Sequence, residues 1–370
     1  MATLPEQLAI DECPLCDPVE AGFAALPLLC PECLARCRQV LRGQRRETLY
    51  RELASLPRPR ETARRLDASV AGLEAVKRGL AVAVYNHGKR LALRDFGETE
   101  CLPGRSHLLL RGAPGTGKTL VVESLAAQLS VPFARIDATT LTPPDRAGSG
   151  LEEIGWRLLE SSGGDPDRAG RGVVFIDAID RLWTNPEGSA VLHDLAGLLE
   201  GRPLRLPLPA GGSLELPTRD LLFIAAGRIA TATRHRAAGF VTDGGGMPAP
   251  GVREPQLPGR FAVQLELPAP GVDELRGVLM HPVSGPLARF RRLFGMDGLG
   301  LEITEAAVTA LVDTAIDEGL GARALHRRLE ALLQPAMHVA PACPWLDCIW
   351  LDCAGDELFV SLSEPLAMAG

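Results

Sequence analysis

The stretch Gly112-Ala113-Pro114-Gly115-Thr116-Gly117-Lys118-Thr119 meets the pattern G-x-x-x-x-G-K-[ST] in full. Residues of these types at this spacing make a phosphate cradle. The glycines let backbone N–H groups turn inward, Lys118 neutralises the β and γ phosphates, and the Thr119 hydroxyl ligates Mg²⁺. A helix opening at Lys118 adds the positive end of its dipole. The ligand expected here is a nucleoside triphosphate, ATP before others, bound with Mg²⁺.

Val173-Val174-Phe175-Ile176-Asp177 supplies the other half of such a site. Four apolar residues ending in Asp place a carboxylate at the C-terminal edge of a buried strand, beside the phosphates. Asp177 is expected to hold Mg²⁺ through water. The next position decides hydrolysis. Enzymes that cleave ATP in such a frame usually carry a Glu there to activate water, and here it is Ala178. A methyl group cannot polarise water, and general-base help contributes about 10²–10⁴ in rate. Asp180 and Glu187 are the candidate stand-ins.

The cysteines suggest a second metal. Cys13-x2-Cys16 and Cys30-x2-Cys33 form two knuckles separated by 13 residues. Four thiolates at this spacing can close a tetrahedral Zn²⁺ site, and so short a segment would draw its folding energy from the metal. Cys37 lies on the helix expected next. Cys348 and Cys353 fall an odd number of residues apart in a predicted strand, hence on opposite faces. With Cys343 they read as small core residues.

The elements that must position this chemistry follow an α/β pattern. Short apolar runs at 106–110, 132–136, 172–177 and 221–226 read as strands, alternating with helices at 118–129, 151–161 and 190–200. Such alternation implies a parallel sheet. A helix over 70–91 precedes it, after a turn at Gly72. Residues 238–259 are rich in Gly and Pro and read as a mobile loop. Helices at 271–280, 304–318 and 321–338 and two strands near 348–353 and 357–362 then form a small α+β domain. The expected organisation is a zinc module at 1–42, a helical linker at 43–65, a large nucleotide-binding domain at 66–265, a small domain at 266–362 and a tail at 363–370.

Composition narrows the function classes. Hydrophobic residues make up 46% and aromatics 4%, so the core is mostly aliphatic. The net charge of −7, with no basic strip interleaved with aromatics, argues against nucleic acid as partner. No apolar run reaches the roughly 18 residues of a membrane span. No secretory signal is read at Met1–Ile10, so the cytoplasm is the expected compartment.

The chain resembles the ClpX unfoldases among the AAA+ ATPases over nearly its whole length. The resemblance rests on Leu80-Ala81-Val82-Ala83-Val84-Tyr85-Asn86-His87 with Lys89-Arg90-Leu91, on Asp137-Ala138-Thr139-Thr140-Leu141-Thr142, on Arg171-Gly172, on Leu198-Leu199-Glu200-Gly201 and on Gly321-Ala322-Arg323. It implies a homo-oligomeric, hexameric ring with nucleotide at subunit interfaces. Val70 and Ala71 sit where that family contacts adenine, and Leu120 follows the phosphate loop. Arg260, in Leu257-Pro258-Gly259-Arg260, matches the arginine finger that reaches the neighbouring subunit. Arg323 matches the arginine that senses nucleotide from the small domain. The four-cysteine module is similar to one the family uses for dimerisation and for adaptor or substrate contact.

Three departures are equally plain. The pore loop that grips protein substrates is aromatic in the family, and here it reads Asp145-Arg146-Ala147-Gly148. The loop that docks the ClpP peptidase keeps Gly239-Phe240 but has Ala238 in place of a larger aliphatic anchor. The catalytic Glu is Ala178. Two functions are therefore expected to compete: an ATP-dependent protein unfoldase or chaperone with slow hydrolysis, and a nucleotide-binding scaffold or regulatory ring subunit.

Overall fold

The computed structural model describes residues 31–97, 102–141, 150–184, 188–208, 212–229, 257–343, 345–355 and 357–363. They fall into two compact units. One combines the chain up to Leu56 with Gly88–Pro103, and the other combines Pro57–His87 with the chain from Gly104 onward.

The described residues of the first unit are mainly helical. Helix α1 (Pro31–Ser55) contributes most of them. Gly88 lies close to Leu56, where a Cβ would stand 3.0 Å from a Leu56 methyl. Arg90 donates to the Pro103 carbonyl over 2.5 Å.

The second unit opens with α2 (Pro59–Asp67), with Pro59 in its first turn, where a missing N–H costs nothing. Helix α3 (Glu74–Asp95), of which the part up to His87 belongs to this unit, starts four residues later than the expected Val70. The reason lies in the backbone: Gly72 and Leu73 both take positive φ, 62° and 59°, which ends any helix there. Val70 and Ala71 therefore sit in a turn rather than on a helix.

Five parallel strands follow: β1 (Leu108–Gly112), β2 (Phe133–Asp137), β3 (Val173–Asp177), and, beyond a small hairpin of β4 (Leu204–Pro207) and β5 (Ser213–Leu216), β6 (Leu222–Gly227) and β7 (Val263–Leu267). Their order is β2-β3-β6-β1-β7. Strands β1, β3 and β6 are near-continuous apolar runs because both faces are covered. Alternation sends Leu109, Val174, Ile176 and Phe223 to one face, where α5 (Glu152–Ser162) and α8 (Gly188–Glu200) pack with Ile154, Leu158 and Leu195. Leu108, Leu110, Phe175 and Ile224 face the other way, onto α3 and α4 (Lys118–Ala126) through Leu80, Val121 and Leu125. Short helices α6 (Pro166–Ala169) and α7 (Arg181–Thr184) flank β3.

A second core forms from α9 (Val272–Met280), α10 (Pro286–Met296), α11 (Glu305–Asp317) and α12 (Ala322–Val339) around a three-stranded sheet ordered β10-β9-β8. The strands are β8 (Gly300–Ile303), β9 (Cys348–Ala354) and β10 (Glu357–Ser363). Thr304 caps α11 through the Ala307 N–H and donates to Asp352 over 2.7 Å, which fastens helix to sheet. Cys343, Cys348 and Cys353 are half-buried, not core residues as expected. Ile349 and Leu351 fill that inner face instead. No helix among the described residues is long and apolar enough to cross a membrane.

Candidate functional site

The phosphate loop lies between β1 and α4, at the C-terminal edge of the sheet where β6 and β7 flank β1 on opposite sides. That crevice is the usual ligand position in open parallel sheets. The glycines are required here by geometry. Gly115 and Gly117 hold φ of 78° and 87°. A Cβ on Gly112 would stand 2.6 Å from the Leu267 carbonyl oxygen. Thr116 is buried and donates to Ala113 O over 2.9 Å, bracing the loop from within.

Lys118 opens α4 and curls over the loop, donating to Gly112 O at 2.8 Å and Ala113 O at 2.7 Å. Burial lowers its ammonium pKa below the ordinary lysine value. Asp177 and Asp180 work against that shift, while Arg323 and Arg228 add to it. The lysine thus sits among two carboxylates and two guanidinium groups. A phosphate chain would bring the negative charge that such a cluster of cations favours.

One residue into α4, Thr119 donates to Asp177 Oδ2 over 2.7 Å. A hydroxyl and a carboxylate in contact are hard oxygen donors of the kind Mg²⁺ prefers when it also holds phosphates and water. The donor set, and the positive-φ turns of Gly115 and Gly117 that bring the loop backbone round, both fit a magnesium-bound triphosphate.

The turn preceding α3 reaches the same loop: a Cβ on Gly117 would lie 3.3 Å from Leu73 Cδ1. Val70 is buried, and its carbonyl accepts from Lys77 Nζ over 3.3 Å. Lys77 is itself buried between Asp67 and Glu74. Burial disfavours its ammonium, but the two carboxylates outweigh that and hold its pKa above the usual value. The lysine so fixes the Val70–Ala71 turn against the loop. Leu120 is half-buried beside it.

From the second core, the N-terminus of α12 meets the loop. Ala322 N donates to Gly115 O over 3.2 Å. A Cβ on Gly115 would fall 2.0 Å from Leu320 O. Arg323 follows in the first turn, exposed, and acts electrostatically on Lys118. Arg260 makes no described bond to residues 112–119. Its guanidinium pairs with Glu200 at the end of α8, and a short turn over Leu257–Arg260 carries it. That end of α8 is fixed by His107: Phe223 N donates to its Nδ1 over 3.1 Å, which leaves Nε2–H to donate to Leu199 O at 3.3 Å.

Ala178 is one of two described non-glycine residues with positive φ, at 54°. Its amide donates to Asp177 Oδ1 over 2.9 Å, and its turn swings Asp180 toward the end of β6. There Asp180 Oδ1 accepts from Arg228 N at 3.0 Å. Asp180 is thus tied to the backbone, a poor arrangement for a free base. Glu187, the pore-loop segment 145–148 and Ala238–Phe240 lie outside the described residues, as do Cys13, Cys16 and Cys30. Cys33 is described, half-buried in the first turn of α1.

Two site cations escape the sequence reading. Arg228 directly follows β6, the strand beside β1, and acts on Lys118. Arg135 on β2 reaches Asp177 Oδ2 at 3.6 Å. Arg228 stands just past a strand's C-terminal end, whereas Arg135 is the middle residue of β2 and reaches Asp177 because β2 pairs with β3; both are legible only once the strand order is known.

Residues 108–232 match the family described as "ATPase family associated with various cellular activities (AAA)". Residues 279–342 match the C-terminal, D2-small domain of ClpB protein. The chain is 32% identical over 349 residues to "ATP-dependent Clp protease ATP-binding subunit ClpX 2" of Wolinella succinogenes, covering 87% of each. It is 32% identical over 360 residues to the ClpX subunit of Porphyromonas gingivalis, covering 85% of this chain and 86% of that protein. With the ClpX subunit of Azotobacter vinelandii it shares 33% over 377 residues, covering 89% and 85%.

Proposed function

This chain belongs to the ClpX family of AAA+ ATPases, and from that membership we propose that it binds ATP with Mg²⁺ at residues 112–119 and works on protein substrates as a slowly hydrolysing unfoldase or chaperone. In this reading Lys118 and the loop amides hold the phosphates. Thr119 and Asp177 hold the metal, which neutralises charge on the β and γ phosphates when bound. Val70 and Ala71 face the base, with Leu120 beside them, and Arg323 couples the second core to the nucleotide. Arg260 serves a neighbouring copy in a homo-oligomeric ring, and its pairing with Glu200 keeps it off its own loop. Cys13, Cys16, Cys30 and Cys33 hold Zn²⁺ in a module for adaptors or substrates. The cytoplasm is the working compartment, and ClpP-type docking is weakened by Ala238.

The observation that carries the hydrolysis part is Ala178. No carboxylate follows Asp177, and Asp180 already accepts a backbone N–H. The same observation favours a second reading, a nucleotide-binding scaffold or regulatory ring subunit that does not turn over. Steady-state ATP turnover beside the Ala178→Glu variant, with nucleotide affinity measured on both, tests the first reading and separates it from the second.

A further inference from the structure

Four polar residues form a chain along the α4 face of the sheet. Thr119 donates to Asp177 Oδ2 at 2.7 Å. Arg135 Nη2 stands 3.6 Å from the same oxygen, and its Nη1 pairs with Glu123 Oε1, one turn beyond Thr119 on α4. Register explains the approach. Arg135 lies opposite Phe175 on β3, so its side chain shares a face with Asp177 two residues on. Arg157 Nη1 donates to the Arg135 carbonyl over 2.7 Å and steadies that stretch of β2. Arg135 and Glu123 are half-exposed, whereas Asp177 is 20% exposed.

We infer that Arg135 is a built-in counter-cation to Asp177 that lowers the dependence of nucleotide binding on Mg²⁺. The inference rests on the reading that ATP binds at residues 112–119. Without metal, a bare carboxylate at Asp177 would repel the triphosphate, and the guanidinium cancels that charge. With metal, Arg135 and Mg²⁺ are like charges competing for one carboxylate, and Glu123 offers the guanidinium a second place to rest. The chain thereby trades some metal-bound affinity for metal-free affinity.

The test is titration of a fluorescently labelled ATP against the full chain, once with saturating Mg²⁺ and once with excess EDTA. The readout is the metal-free Kd divided by the Mg²⁺ Kd. In Arg135→Gln that ratio rises about three- to fivefold, the size a half-exposed ion pair supports. In Glu123→Gln, where the guanidinium loses its resting place, the ratio falls below the native value. A merely structural role for Arg135 would weaken both affinities together and leave the ratio alone. An unchanged or lower ratio in Arg135→Gln, with binding intact, overturns the inference by itself. Absence of binding by the native chain under both conditions overturns the ATP-binding reading and this inference with it.

Discussion

Gly115 and Leu320 are packed backbone to backbone: a Cβ on Gly115 would stand 2.0 Å from the Leu320 carbonyl oxygen. The adjoining Ala322 amide donates to Gly115 O over 3.2 Å. The phosphate loop and the start of α12 therefore share one contact surface. Arg323, the next residue, stands in the first turn of α12. Under the proposed function, this contact is the route by which bound nucleotide would act on the second core.

Gly115→Ala is expected to fail twice over, through left-handed backbone strain and through the Leu320 clash. Gly163 makes a matched control, since it holds a similar φ of 74° with nothing within 4 Å of a Cβ. Gly163→Ala should cost only the strain, about 1–2 kcal/mol. Gly115→Ala should cost at least about 1 kcal/mol more, because the facing atoms are backbone. Thermal melting of the two variants side by side checks this, and equal losses would contradict it.

Lys77 is expected to give stability a pH dependence on the alkaline side. Its folded pKa is raised above the ordinary value of 10.5. The folded state therefore holds the proton more tightly. The contribution is fully present below 10.5 and is lost as pH rises through the higher folded value. Lys77→Met should cost about 2 kcal/mol at neutral pH, as loss of a hydrogen-bonded charge does. Urea melts of native and variant chains should converge as pH climbs past the lysine range. A constant gap would show that the Asp67 and Glu74 pairs do not carry the effect.

The cysteine knuckles predict metal content. The purified chain should carry about one Zn²⁺, released by strong chelators. Cys16→Ser should abolish it, while the melting of the nucleotide-binding core stays in place. Elemental analysis together with calorimetry decides the matter, and a native chain purified without zinc under metal-replete conditions would sink the assignment.

The parts of the fold legible in the sequence were those whose pattern is local. Residues 112–119 and 173–177 announce themselves because a turn chemistry and a doubly buried strand each impose composition on consecutive residues. Strand β7 escaped notice because an edge strand alternates, as Val263-Gln264-Leu265-Glu266-Leu267 does, and it follows a Gly- and Pro-rich stretch. Helix α10 is harder to read: Leu287, Phe290 and Phe294 keep helical spacing, but the exposed Arg289, Arg291 and Arg292 between them break up any apolar run in the sequence. The start of α3 was misplaced because Leu73 takes a positive φ that its residue type does not advertise. Lys118, Thr119 and Asp177, expected from their motifs, lie close together. Arg135 and Arg228 were missed because their approach depends on which strands are neighbours, a long-range property.

Under the proposed function, residues 112–119 and Asp177 bind ATP, and Ala178 leaves no carboxylate at the water-activating position. Steady-state ATP turnover of the native chain, beside Ala178→Glu and with Lys118→Ala as the binding-deficient control, tests it most directly. Ala178→Glu is expected to raise turnover by about 10²–10⁴ at similar ATP affinity, the range general-base assistance supplies. A native chain that already turns over as fast as the Glu variant would contradict it.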